Sequence, residues 1–189
     1  MPYVMLGIRC LLGCVFLMSF LTKISGRASF ARFVDSVRDM RLLPHPLSRP
    51  AALAVVVAEG TVCLLLAAPA APATVAGFCL AAGLLAAFTT GIALALRRGV
   101  RTSCRCFGAS DTLLGGLHIG RNAALIACSA LGAVTVRTDG TTQAAGSVLA
   151  VCTGLLLGGL VIKLDDLSEL FRPVHSHPSG KPSGAARGL

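Results

Sequence analysis

Cys104 and Cys106, in the run Cys104-Arg105-Cys106-Phe107-Gly108 with Arg101 just upstream, are the residues of this chain whose type and spacing best suit chemistry. Positive neighbours favour thiolate over thiol, and the thiolate is the reactive form. A disulfide across one intervening residue closes a very small ring, and strained disulfides are the oxidising, easily exchanged ones. The pair therefore suits electron or disulfide exchange better than structural bracing. Gly108 permits a turn that a side chain would obstruct. Metal binding is less well supported, because two thiolates make half of a tetrahedral zinc shell and His118 is the sole histidine nearby. Two loop thiols with a packing role are the plain alternative, and spacing alone does not decide between them.

The other six cysteines, Cys10, Cys14, Cys63, Cys79, Cys128 and Cys152, fall inside apolar stretches. There they read as small residues that let helices approach closely. Cys10 and Cys14 share a helix face, so a metal or redox pair is the alternative for those two. Arg9 and Glu59 also interrupt apolar stretches. A charge near mid-membrane costs about 2.5–3.5 kcal/mol on insertion scales, so each needs a partner. On antiparallel neighbouring helices the two lie at similar depth and are expected to pair. The functional reading of such a pair is a proton or quinone site; the plain one is an ion pair that fixes helix register. Lys23 and Arg121 stand at the ends of apolar stretches and are expected to snorkel. Asn122 is expected to hydrogen-bond between helices. His175 and His177 are too isolated to argue for a metal.

The elements that position these residues follow from composition. The chain has 189 residues, of which 54% are hydrophobic and only 13% charged. A soluble domain carries about a quarter charged residues. The mean hydropathy of +0.79 agrees with an integral membrane protein. Five stretches approach the about 20 apolar residues a spanning helix needs: 3–21, 51–68, 73–96, 119–136 and 144–162. The fold class expected is all-α, a polytopic helical bundle of about five transmembrane helices. The first stretch does not read as a signal peptide: nothing basic precedes it, Arg9 interrupts it and no A-x-A site follows. Between the first two stretches, Phe30, Phe33, Val34, Val37 and Met40 recur at helical spacing among charged residues, which predicts an amphipathic helix at the interface. It is expected to end at Leu42-Leu43-Pro44. Pro69-Ala70-Ala71-Pro72 predicts a tight turn. Residues 1–165 are expected to form the transmembrane domain, and 166–189 a disordered tail rich in Pro, Gly and Ser.

A net charge of +9 could signal nucleic acid, but the bias of the basic residues points to lipid. Fifteen of the 17 lie in segments 22–50 and 97–118, at Arg121 and from Lys163 onward. With five spans, all of these fall on one side. The positive-inside rule then places the N-terminus outside, the C-terminus in the cytoplasm and the Cys104–Cys106 loop on the cytoplasmic side.

The order of features carries a resemblance: Lys23 closing the first apolar helix, Leu42-Leu43-Pro44, Glu59-Gly60 in the second, Cys104-x-Cys106-Phe107-Gly108, then Gly120-Arg121-Asn122 opening the next. Over about residues 5–136 the chain resembles the MauE family of methylamine-utilisation membrane proteins, related to the DoxX-like group. The resemblance implies a cell-membrane helical bundle that helps mature methylamine dehydrogenase, whose small subunit is rich in disulfides. It implies a thioredoxin-like partner of the MauD type. Carried over by position, Cys104 and Cys106 become the redox pair. Two other readings stay open: a non-enzymatic assembly scaffold, and a small transporter built around Arg9 and Glu59. Disulfide maturation belongs on the oxidising side of a bacterial membrane, which is in tension with the cytoplasmic placement of the motif.

Overall fold

A computed structural model describes residues 2–98, 116–136 and 143–170, the side chains of 116–118 and 164–170 excepted. Among the described residues the secondary structure is all helical, with six α-helices: α1 (Pro2–Ile24), α2 (Arg27–Asp39), α3 (Ser48–Ala67), α4 (Ala71–Arg97), α5 (Gly116–Thr135) and α6 (Ala144–Leu170). Four segments are long and apolar enough to cross a bilayer: Pro2–Ile24, His45–Ala67, Ala71–Arg97 and Ala144–Lys163. The apolar part of α5, Ile119–Thr135, is shorter. At 1.5 Å per residue it covers about 25 Å, somewhat less than the hydrocarbon thickness.

The helices form a closed ring in the order α1–α3–α4–α5, and α6 lies outside it against α1. The core runs down the middle of the ring through Leu12, Phe16, Val62, Phe78, Leu85 and Leu125. Large apolar side chains also point outward. Leu64 is 74% exposed and Leu156 76%. In water that arrangement would be costly; in hydrocarbon it is the expected outer face of a bundle.

Local sequence explains the joints. α3 stops where Ala68 turns extended, and Pro72 sits in the first turn of α4, where its missing N–H costs nothing. α2 is amphipathic, as its pattern predicts, and packs Phe33 and Val34 on Ala52 and Val56 of α3. It ends at Asp39 rather than at the prolines, because Arg41 adopts a left-handed backbone with φ of 50° and closes the helix earlier. A single 3-10 turn at His45–Leu47 then leads into α3.

The direction of α6 is set by its contacts with α1. Tyr3 meets Gly146, Gly7 meets Ala150, Cys10 meets Gly154 and Cys14 meets Gly158. Both numbers rise together, one helical turn at a time, so the two helices run parallel. A β-carbon at Gly154 would run into the Gly7 carbonyl and lie 3.0 Å from the Cys10 β-carbon. Glycine is what lets the backbones come this close.

Candidate functional site

The buried polar centre of the bundle joins α1 to α3. The Glu59 carboxylate accepts hydrogen bonds from Lys23 Nζ at 2.8 and 3.0 Å and from Ser19 Oγ at 3.0 Å. Lys23 Nζ also lies 2.6 Å from Ser19 Oγ. Glu59 is fully buried and Lys23 is 2% exposed. The ammonium further stands 4.9 Å from the centroid of the Phe33 ring on α2. Four turns of the sequence thus converge: Ser19 and Lys23, one helical turn apart on α1, Glu59 on α3, and an aromatic face from the interfacial helix.

This corrects two expectations. Glu59 does not pair with Arg9. The antiparallel register of α1 and α3 sets Glu59 opposite Ser19 and Lys23, and Arg9 is ten or more residues away along α1, about 15 Å or more at 1.5 Å per residue. Arg9 instead donates its Nε to the Leu66 carbonyl and its Nη2 to the Ala68 carbonyl, the latter at 2.5 Å. Those are orphan carbonyls at the C-terminus of α3, where a cation is favourable. Nor does Lys23 snorkel: the carboxylate behind it holds it inside. Sequence reasoning missed Ser19 and Lys23 as partners of Glu59. The signal available was their spacing of four on one face of α1.

Arg121 and Asn122 are both buried in α5, so Arg121 does not reach outward from the helix end as expected. Asn122 is 1% exposed, and its Oδ1 has no hydrogen-bond partner among the described residues. Cys10 and Cys14 lie on the α1 face that meets the α6 glycines, the placement of packing residues. Cys104 and Cys106 lie outside the described residues. In the chain they fall between Arg97, the end of α4, and Gly116, the start of α5.

Apolar helices with an outward hydrophobic face, closed around a buried ion pair, define a multi-pass helical membrane protein. The chain belongs to the family described as methylamine utilisation protein MauE, which matches residues 1–135. Neither a curated protein nor a solved structure matches it. The match ends with α5, so α6 and its parallel packing on α1 lie beyond it.

Proposed function

We propose that this protein is a membrane thiol–disulfide exchange factor that works with a thioredoxin-like partner of the MauD type to mature a disulfide-containing client. The observation that carries the reading is the Cys104-Arg105-Cys106 run in a chain of this family, set in the polar segment that joins α4 to α5. The exchange is a two-step displacement. A thiolate of the pair attacks one sulfur of the partner's disulfide. The partner's S–S bond breaks, a mixed disulfide forms, and the partner's second sulfur leaves as a thiolate. The other cysteine of the pair then attacks the mixed disulfide, so the partner departs as a dithiol and Cys104–Cys106 is left oxidised. Two electrons have passed from the pair to the partner. Run backwards, the same steps oxidise the partner, and relative potentials set the direction. The N-terminus lies outside and the C-terminus in the cytoplasm on the charge bias.

The test is a pair of variants. Replacing one cysteine removes the resolving thiol, so Cys104→Ser or Cys106→Ser accumulates a mixed disulfide with a thioredoxin-like protein, visible on a non-reducing gel. The double variant binds that partner but no longer supports client maturation. Full maturation with the double variant overturns the redox reading in favour of an assembly scaffold.

A further inference from the structure

A groove of about 750 Å³ opens between the C-terminal end of α1, the helix α2 and the first turns of α3. Its place in the bilayer follows from the topology. α1 ends and α3 begins on the same face of the bundle, with amphipathic α2 between them. The groove therefore lies where hydrocarbon gives way to headgroups. Its lining is of two kinds: Phe30, Leu53 and Val56 are apolar, while Lys23, Arg27 and Arg49 are cationic. Arg38 also lines it, together with Asp35, and these two pair at 3.0 Å. Lys23 is neutralised from behind by Glu59. Arg27 and Arg49 are different. Both are exposed, and among the described residues neither has an acid within ion-pair distance.

We propose that this groove is a binding site for an anionic phospholipid of the surrounding leaflet, with the phosphate on the Arg27 and Arg49 guanidinium groups and the glycerol and upper acyl chains against Phe30, Leu53 and Val56. Guanidinium suits phosphate because its fork of donors matches two phosphate oxygens at once. Basic pockets at the ends of membrane helices are attractive to anionic headgroups. The apolar lining selects an amphiphile over a soluble anion, since free phosphate has nothing to place there. The volume suits a headgroup, glycerol and first methylenes, within the usual range of a ligand site. The site does not depend on the thiol chemistry proposed above, and its readout is separate.

The experiment uses full-length protein in phosphatidylcholine nanodiscs, titrated with phosphatidylglycerol and read by the lipid retained in native mass spectrometry. Phosphatidylglycerol is expected to be retained in preference to phosphatidylcholine. Arg27→Gln and Arg49→Gln each lower its affinity about fivefold, and the double variant about twenty-five-fold, on the scale of one basic residue near a charged surface. Arg32→Gln, on the same helix but outside the groove, changes it less than about twofold. Equal retention of the two lipids overturns the proposal. So does an Arg32→Gln effect as large as that of Arg27→Gln, which assigns the attraction to diffuse surface charge. Displacement of phosphatidylglycerol by an equal concentration of glycerol phosphate also overturns it, in favour of a soluble anion.

Discussion

Removing the Glu59 carboxylate takes away the acid that the buried Lys23 ammonium pairs with and that the Ser19 hydroxyl donates to. Breaking a buried pair by one partner costs about 3–5 kcal/mol, whereas replacing both by apolar groups is often nearly neutral. Glu59→Ala should therefore sharply lower the yield of monodisperse protein in detergent, and adding Lys23→Met should recover much of it. Adding Arg9→Leu should not, because Arg9 closes the end of α3 on the Leu66 and Ala68 carbonyls. Recovery by Arg9→Leu and none by Lys23→Met would show that the pairing is wrong. The need for a partner was legible in the sequence, since a lone carboxylate in an apolar run cannot stand. The partner's identity was not. It depends on how far α1 slides along α3, and the 23 residues that separate them, among them a helix of their own, leave that offset free. The reactive pair is tested by labelling. Cys104 and Cys106 lie outside the apolar stretches and beside arginines that favour the thiolate. A water-soluble alkylating reagent should modify at least one of them well before Cys10, Cys14, Cys63, Cys79, Cys128 or Cys152. Equal labelling rates would argue against an accessible, activated thiol.

Helix packing separates glycines that look alike in the sequence. Gly154 and Gly158 lie against α1, with Cys10 and Cys14 over them, while a β-carbon at Gly159 meets nothing within 4 Å. Overpacking a tight contact costs about 1–3 kcal/mol, and close backbone approach leaves little room to relax. Gly154→Leu should therefore lower the thermal midpoint of unfolding in detergent. Gly159→Leu should leave it unchanged or raise it slightly, because leucine is the better helix former. If the two variants behave alike, α6 does not pack on α1 through this face. The helices themselves were legible from apolar length, and α2 from its periodicity. Which face of α6 meets α1 was not legible: that helix is apolar nearly all round, so no stripe marks the contact. The early end of α2 was also hidden, since a single left-handed arginine, and not the prolines, stops it.

Across the whole molecule, the parallel run of α1 and α6 decides how many times the chain reverses. Three antiparallel joints in the ring, α1 to α3, α3 to α4 and α4 to α5, followed by a helix parallel to α1, require α5 to carry the chain back across the bundle despite its shorter apolar length. The ends of α1, α4 and α6 then share one face with the starts of α3 and α5. Arg98 at the end of α4 donates to the Arg41 carbonyl just after α2 at 3.0 Å, which ties two of those ends together. Among the described residues that face collects Lys23, Arg27, Arg38, Arg41, Arg49, Arg97 and Arg98, and the opposite face holds Tyr3, whose hydroxyl accepts a bond from the Gln143 amide at 2.8 Å. Retention of Lys and Arg on the cytoplasmic side during insertion orients such a bundle. A reporter active only in the cytoplasm should therefore work when fused after Arg98 and after Leu189, and fail when fused after Pro69. The last fusion matters because the turn between α3 and α4 lies at the other end of the bundle. Activity after Pro69 with silence at both other points would turn the molecule over. The Cys104–Cys106 segment would then join α4 to α5 on the oxidising side, where thiol exchange with a secreted client needs no relay across the membrane. Activity at all three points would break the alternation and with it the five-pass arrangement.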